Sequence, residues 1–231
     1  MQSVSLSVII PVYNEIDTIE KLLEKVKASP VVEEIIIVDD FSTDGSREYL
    51  KGLSAPRIKT ILQKQNQGKG AAITTGLSLV KSSYVIVQDA DLEYDPKDYL
   101  RLLEAIDKNH SIVFGSRFRG RKPQMRQDSY YANMFLTFLT NLLFGSHITD
   151  MASCYKLIPT EILRSLNLKS RRFEIELEIT TKLLSSKRPI KEIPISFTGR
   201  NYSEGKKIGW KDGVKDLWLL FKYRFLGFEQ A

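Results

Sequence analysis

Cysteine, histidine and long apolar runs are all scarce in this sequence. Its 231 residues include one cysteine, Cys154, and two histidines, His110 and His147. A lone cysteine excludes an intrachain disulfide, and two isolated histidines offer no zinc-ligand spacing. No run of about 18 consecutive apolar residues is present, so the sequence predicts no transmembrane helix.

The first residues also lack the features of a secretory signal. They read MQSVSLSVIIP, with neither a positively charged start nor a small-residue cleavage site. Since a single cysteine also fits a reducing compartment, we expect a cytoplasmic protein.

The composition is that of a globular protein with an uneven distribution of charge. Hydrophobic residues make up 42% and charged residues 27%, which excludes a disordered or coiled-coil chain. Residues 1–110 carry 13 basic and 17 acidic side chains, whereas residues 111–231 carry 21 and 11. The net charge of +6 would permit nucleic acid, anionic lipid or phosphorylated metabolites as partners. No recognition helix, zinc finger or RNP motif is present, so we expect no nucleic-acid partner.

Strand and helix patterns alternate through the first half of the chain. Continuous apolar runs predict buried strands at 6–11, 34–38, 57–62, 84–87 and 111–114. Between them, helices are predicted at 15–28, 46–53, 68–80 and 96–108. This alternation predicts an α/β fold with a mostly parallel sheet, whose ligands bind beyond the carboxyl ends of the strands.

The second half is less regular. Helices are predicted at 129–144, 173–184 and 210–225, and strands at 153–158 and 191–197. Pro194 favours an edge position for the last strand. The helix over 129–144 is apolar on most sides, which is typical of a core helix and also of one that lies on a lipid surface.

Acidic side chains cluster where two predicted strands end. Asp89 and Asp91 flank Ala90, and Glu93 and Asp95 follow within four residues. Such a cluster favours Mg²⁺ or Mn²⁺ among its carboxylates, although an acidic turn before Pro96 would have the same sequence. Asp39 and Asp40 end another strand and could bind a ribose hydroxyl or a nucleotide base, or form a solvated turn.

Basic residues form three candidate anion sites, each of which could equally be ordinary structure or solvated surface. Gly68-Lys69-Gly70 opens a predicted helix, whose N-terminus and lysine could bind phosphate. A second group follows the fifth predicted strand, and a third lies in the loop over 198–209. The members of these two groups are Arg117, Arg119, Arg121, Lys122 and Arg126, and Arg200, Lys206 and Lys207.

Taken in order, these motifs resemble glycosyltransferase family 2. The resemblance is strongest to its polyprenol-phosphate sugar synthases, the group that includes dolichol-phosphate mannose synthase. The matching segments are PVYNE (11–15), VDDFSTDGS (38–46), NQGKGAA (66–72), QDADLEYDP (88–96), GSRF (115–118), DMASCYK (150–156), FEIELE (173–178) and EIPISFTGRNYSEGKKIGW (192–210). The resemblance implies a GT-A Rossmann-like three-layer sandwich in one domain over 1–231. Residues 1–110 would bind the nucleotide-sugar, and residues 111–231 would bind the acceptor and end in an amphipathic helix.

The resemblance also implies a role for each motif residue. Asp91 and Glu93 would bind the divalent cation, Mg²⁺ or Mn²⁺. Arg117 would receive the acceptor phosphate with help from Ser153. The donor-binding residues would be Pro11, Tyr13, Glu15, Asp40, Lys69, Asp89, Ala90, Arg200, Lys206 and Lys207. Close relatives often have Ser-Gly-Phe-Arg where this chain has Ser153-Cys154-Tyr155-Lys156, so that acceptor contact is a point of departure.

The implied reaction is inverting, metal-dependent hexose transfer to a dolichyl or undecaprenyl phosphate from a donor such as GDP-mannose or UDP-glucose. A basic amphipathic C-terminus would add peripheral contact with the cytoplasmic face of a membrane. Two alternatives stay open. A sugar or other alcohol acceptor would need a carboxylate base, for which Asp150 is the candidate, with Glu174 or Glu176 behind it. A module that only binds nucleotide-sugar or nucleic acid is the second alternative. The sequence indicates no oligomeric state.

Overall fold

A computed structural model describes residues 4–120, 123–200 and 210–228 of the chain. Seven strands within these residues form one sheet. In chain order they are β1 (Leu6–Val12), β2 (Val32–Asp39), β3 (Ile58–Leu62), β4 (Tyr84–Val87), β5 (Ile112–Ser116), β6 (Lys156–Pro159) and β7 (Ile190–Pro194). Across the sheet the order is β3-β2-β1-β4-β6-β5-β7. Strand β6 runs antiparallel to both neighbours, and the other neighbouring pairs are parallel.

Helices cover both faces of this sheet because each inner strand is apolar on both faces. On β1, Val8 and Ile10 belong to one core and Ile9 to the other, which is why the run is continuously hydrophobic. The first core packs against α1 (Ile16–Ala28), α2 (Ser46–Lys51) and α4 (Asp98–Glu104). The second packs against α3 (Lys69–Leu77), α6 (Thr160–Ser165) and α7 (Ile175–Ser185).

A third apolar cluster lies beside the sheet and joins helices from the second half of the chain. It brings together α5 (Gln127–Phe144), α7 and α8 (Trp210–Phe225) through buried leucines and Tyr223. Among the residues that the structure describes, we find no helix with the length and apolarity that a membrane crossing requires.

The predicted α/β three-layer sandwich with a mostly parallel sheet is confirmed. Helix α8 has the predicted bounds, and β7 lies at the sheet edge that Pro194 favoured. Helix α6, six residues that directly follow Pro159, was not predicted. Strand β6 begins at Lys156 rather than at Ser153. The three preceding residues belong to the loop that leads into the strand.

Two glycines at the start of α3 are required by close contact with the backbone of residues 170–171. Gly68 adopts a φ of 97°, and a Cβ there would overlap the carbonyl oxygen of Arg171. A Cβ on Gly70 would overlap the carbonyl oxygen of Ser170. The amide of Ala71 donates to the Arg171 carbonyl at 3.0 Å, which holds the two segments together. These glycines therefore allow the start of α3 to pack directly against the backbone of residues 170–171.

We predict that Gly70→Ala lowers the free energy of unfolding by about 1–3 kcal/mol, because backbone must move to admit the methyl group. Gly213→Ala is the matched control. A Cβ there meets no described atom within 4 Å, and alanine is favoured over glycine in a helix such as α8. Urea unfolding should therefore show Gly213→Ala to be neutral or stabilising. Equal stability of the two variants would contradict the assigned contact at Gly70.

Candidate active site

One cavity of about 710 Å³ opens where β1, β2, β4 and β5 end. Parallel strands bring their carboxyl ends to one edge of a sheet, so polar residues after different strands meet there. Most of the residues predicted to act line this cavity: Pro11, Tyr13, Glu15, Asp40, Lys69, Asp89, Ala90, Asp91, Glu93, Arg117 and Arg200. Asp150 and Ser153 are fully buried and do not line it. Lys206 and Lys207 lie outside the described residues.

The carboxylates after β4 lie close enough to raise the pKa of Asp91. Burial and the negative charges of Asp89 and Glu93 raise it to about 7, although Arg200 opposes the rise. Within the described residues, no group of three or more acidic, histidine or cysteine side chains is arranged to hold a metal ion. The hard carboxylate oxygens of Asp91 and Glu93 nevertheless fit Mg²⁺ or Mn²⁺, which commonly takes its remaining ligands from substrate phosphates and water.

Arg200 brings a positive charge to these carboxylates from the far end of the chain. Its guanidinium donates to both oxygens of Glu15 at 3.0 Å and lies 3.4 Å from Asp91 Oδ2. Its backbone amide donates to Glu93 Oε1 at 2.6 Å. Glu15, expected to contact the nucleotide, thus binds an arginine 185 residues away in this structure. The nucleotide role of Glu15 stays a prediction.

Lys69 lies in a chain of alternating charges. Its ammonium is 2.7 Å from Asp89 Oδ1 and 3.3 Å from Glu176 Oε1. The other oxygen of Glu176 is 2.7 Å from the ammonium of Lys156, which also donates to the Ser153 carbonyl. Burial opposes the charge on Lys69, but the two carboxylates outweigh it and raise the pKa. Glu176 was expected only behind a candidate base, and nothing in the local sequence indicates its two lysine partners.

Asp40 organises the turn that leads into α3. Its two oxygens accept the backbone amides of Gln67 and Gly68, each at 2.7 Å, and burial raises its pKa. With the Ala71 amide also bonded within the protein, three amides near the N-terminus of α3 already have partners. The ammonium of Lys69 lines the cavity and is a positive group that this motif supplies to it.

Arg117 is held by Asp150 in a buried, forked ion pair. Asp150 Oδ2 accepts the Arg117 backbone amide at 2.9 Å and Nε at 2.7 Å, and Oδ1 accepts Nη2 at 2.7 Å. Burial opposes the charge on Arg117, but Asp150 raises the pKa of the guanidinium further above its normal value. Phe118 and Phe197 lie 5.3 and 5.1 Å from the guanidinium carbon, measured to the ring centres. The arginine therefore reaches the cavity in a fixed orientation.

The far end of the cavity is apolar and lies between α5 and α8. Its apolar lining there includes Phe135, Leu136, Leu177, Val214 and Leu217, and the same helices add the polar residues Asp128, Ser129, Asn133 and Asp216. Both helices also expose large apolar side chains at the spacing i, i+4, i+7 and i+11, which places each set on one helix face. The sets are Tyr131, Phe135, Phe138 and Leu142 on α5, and Val214, Trp218, Phe221 and Phe225 on α8. We call these two sets the apolar faces.

Comparison with known proteins points to one family. The family model for glycosyl transferase family 2 matches residues 7–166. An undecaprenyl-phosphate 4-deoxy-4-formamido-L-arabinose transferase from Edwardsiella ictaluri is 30% identical over 210 residues, which cover 87% of this chain and 62% of that protein. An undecaprenyl-phosphate mannosyltransferase from Micrococcus luteus is 26% identical over 87% of this chain and 86% of its own length. The chain thus spans less than two thirds of the first of these relatives.

A solved structure shows the same fold. Glucosyl-3-phosphoglycerate synthase from Mycobacterium tuberculosis, crystallised with Mn²⁺, UDP and glucosyl-3-phosphoglycerate, superposes with a TM-score of 0.70 at 17% identity. The match covers 99% of this chain and 82% of that one. The chain therefore has the GT-A fold and belongs to glycosyl transferase family 2.

Proposed function

We propose that this protein transfers a hexose from a nucleotide-sugar to a polyprenyl phosphate, with inversion at the anomeric carbon. The observation that carries the proposal is the continuity of the cavity. It runs from the carboxylates and cations at the strand ends to an apolar space between α5 and α8. A charged donor, a phosphate and a hydrocarbon chain match these regions in turn. Undecaprenyl phosphate appears in the names of both curated relatives described above.

The donor would occupy the end of the cavity built by residues 1–110, which lines it with Pro11, Tyr13, Glu15, Asp40, Asp89 and Ala90. The carboxylates of Asp91 and Glu93 would hold Mg²⁺ or Mn²⁺, which supplies charge neutralisation for the departing diphosphate. Lys69 adds a fixed positive charge beside Asp89, and Arg200 adds another beside Asp91. Lys206 and Lys207, which lie outside the described residues, stay predicted donor contacts. GDP-mannose and UDP-glucose are both donors to test.

Residues 111–231 would bind the acceptor through Arg117. A phosphate monoester oxygen is already anionic at neutral pH, so it needs orientation and desolvation more than a general base. Asp150 occupies the Nε–Nη2 edge of the Arg117 guanidinium, so the phosphate oxygens would bind its outer Nη1–Nη2 edge. Ser153 is buried behind the cavity, and its hydroxyl accepts from the Tyr155 amide at 3.3 Å. A direct contact between Ser153 and the acceptor would therefore require local movement.

An alcohol acceptor is the second candidate, and the contacts of Asp150 favour it less. A base for a hydroxyl must present a carboxylate oxygen to the substrate. Both oxygens of Asp150 accept hydrogen bonds from Arg117, and the side chain is fully buried. Replacing Asp150 would also release Arg117, so this substitution does not discriminate between the two acceptors. A direct comparison of acceptors does.

The first test is a transfer assay with UDP- and GDP-hexoses and Mg²⁺ or Mn²⁺. We expect one nucleotide-sugar to be consumed at least tenfold faster with undecaprenyl phosphate than with glycerol, free sugars or undecaprenol, because only the first is an anionic nucleophile on an apolar chain. Chelation with EDTA should abolish the transfer. Faster transfer to undecaprenol or a free sugar would favour the alcohol acceptor instead.

We further propose that the apolar faces of α5 and α8 lie against the cytoplasmic surface of a membrane that contains the acceptor. Phe135 and Val214 belong to these faces and also line the cavity, so the two features are continuous. Lys222 lies 5.0 Å from the Trp218 ring and Arg224 lies 5.9 Å from the Phe225 ring, which places cations beside the apolar side chains. Anionic lipid headgroups complement such a surface.

Trp218→Glu should weaken binding to phosphatidylglycerol vesicles by about tenfold, because a 60% exposed indole would no longer enter the interface. Leu100→Glu on α4 is the control, since Leu100 is 46% exposed and does not line the cavity. Vesicle sedimentation measures both variants. Equal losses, or no loss with Trp218→Glu, would count against the proposed orientation.

The raised pKa of Asp91 predicts a dependence of stability on pH. The pKa is about 7 in the folded protein and about 4 in an unfolded chain, so the folded state loses stability as pH rises from 4 to 7. Asp91→Asn removes the repelled charge and should raise the melting temperature at pH 8 by a few degrees, with a smaller gain at pH 5.

Asp44→Asn is the control for that experiment, because its expected effect on the melting temperature has the opposite sign. Partial burial opposes the charge on Asp44, but hydrogen bonds from the Ser46 hydroxyl and from the Ile16 and Ser46 amides lower its pKa. Its charged form therefore stabilises the fold above the normal carboxyl pKa. Thermal denaturation should show a loss for Asp44→Asn at both pH values. A melting temperature at pH 8 that falls in Asp91→Asn would show that repulsion around Asp91 does not destabilise the fold.

A further inference from the structure

Glu192 is a buried carboxylate on the edge strand β7, and none of the roles described above uses it. Its side chain is 4% exposed, although β7 is the last strand of the sheet. Its oxygens accept the Thr149 amide at 2.8 and 2.9 Å, the Thr149 hydroxyl at 3.0 Å and the Asp150 amide at 3.2 Å. A carboxylate that is removed from solvent and bonded this fully sets the position of its partners.

The partners of Glu192 lie in the loop that carries Asp150. This loop joins α5 to β6, so no helix or strand ladder fixes residues 149 and 150. Other contacts hold the neighbouring residues: Ser116 Oγ lies 2.7 Å from Thr149 Oγ1, the Asn141 side chain binds the backbone of Ile148, and the Thr137 hydroxyl accepts the Met151 amide. The backbone amides of residues 149 and 150 themselves both donate to Glu192.

The same turn determines where the guanidinium of Arg117 points. Three groups of Arg117, namely its backbone amide, Nε and Nη2, donate to the Asp150 carboxylate at 2.7–2.9 Å. Arg117 follows β5 directly, and β5 pairs with β7 so that Phe114 lies opposite Glu192. Glu192 and Arg117 thus belong to, or directly follow, neighbouring strands, and the loop with Asp150 connects their side chains.

We propose that Glu192 is a positioning residue for the acceptor phosphate, acting through the 149–150 turn and Asp150 on Arg117. The inference rests on the proposed role of Arg117 as the phosphate-binding group. Glu192 does not line the cavity, and neither does Arg119, whose guanidinium lies 4.0 Å from the Glu192 carboxylate. An effect of Glu192 on the acceptor would therefore pass through the 149–150 turn. A forked donor binds phosphate well only in the correct orientation, and a small rotation of the guanidinium loses one of its two hydrogen bonds.

A purely structural role for Glu192 makes a different prediction. The ladder between β5 and β7 pairs five residues through backbone contacts, which a change of the Glu192 side chain leaves in place. If Glu192 only stabilised the loop, its loss would lower the melting temperature and affect donor and acceptor kinetics alike. If it positions Arg117, the Michaelis constant for the acceptor should change alone.

The test uses Glu192→Gln in the full-length chain, with undecaprenyl phosphate in detergent micelles and the nucleotide-sugar that the acceptor assay identifies. We expect the KM for undecaprenyl phosphate to rise about tenfold and the KM for the donor to change less than twofold. Thr149→Val, which removes the hydroxyl between Glu192 and Ser116, should shift the acceptor KM in the same direction by about threefold. It provides the same measurement should Glu192→Gln fold poorly.

Glu34→Gln is the matched control. Glu34 is also a shielded carboxylate on a strand, with a side chain 12% exposed, and it accepts the Ser7 hydroxyl at 2.7 Å and the Lys81 amide at 3.0 Å. It does not line the cavity. Its replacement should lower stability and leave both Michaelis constants unchanged.

A double-mutant cycle with Arg117→Met separates the outcomes. If Glu192 acts through Arg117, Glu192→Gln should have no further effect on the acceptor KM in the Arg117→Met background. The positioning role would be overturned if the effects of the two substitutions on the acceptor KM multiply in the double variant. It would also be overturned if Glu192→Gln leaves the acceptor KM unchanged while Arg117→Met raises it. An unchanged acceptor KM in Arg117→Met would instead overturn the proposed function of Arg117 itself.

Discussion

Three cations at the carboxyl edge of the sheet each have a carboxylate partner within about 3 Å. Arg117 binds Asp150, Lys69 lies between Asp89 and Glu176, and Arg200 binds Glu15. Charged groups in a partly enclosed cavity lose much of their hydration, and an unpaired one would shift its pKa or destabilise the fold. This requirement decides which side chains can be gathered here, and therefore what the cavity can bind.

Pairing also explains the uneven charge of the two halves of the chain. The acidic half, residues 1–110, supplies Glu15 and Asp91, and the basic half supplies Arg200, which lies against both. In the opposite direction, Lys69 from the first half meets Glu176 from the second. Ion pairs across the cavity thus neutralise part of the excess charge of each half. Anionic ligands can enter such a site by exchanging partners with side chains that are already oriented, which limits the reorganisation that binding requires.

Most of the predicted site residues that line the cavity lie just after a strand or at the start of a helix. Asp40, Asp91 and Arg117 could be predicted because parallel strands bring their carboxyl ends to one edge. The apolar runs that defined those strands are local patterns, so the fold was also predictable.

Contacts between segments distant in the chain were not predictable in the same way. Glu192 and Thr149 are separated by 43 residues and Glu15 and Arg200 by 185, and no periodicity or spacing links such pairs. Gly68 shows a related limit. A glycine that permits close approach of a phosphate has the same sequence as one that permits close approach of a neighbouring loop, and here the loop over 170–171 occupies that space. Only tertiary structure distinguishes the two.

Helices α5 and α8, beside the cavity, each have one buried face and one exposed apolar face, and the exposed faces bear on how the acceptor binds. Leu136 on α5 and Leu219 and Leu220 on α8 are buried in the third apolar cluster, which fixes the two helices against α7. With those faces packed, the remaining apolar faces stay largely exposed to solvent. An exposed aromatic surface of this kind is costly in water unless something covers it during function. A membrane that carries a polyprenyl phosphate would cover the faces and present the phosphate to the charged end of the cavity, so one surface would meet both requirements of the proposed reaction.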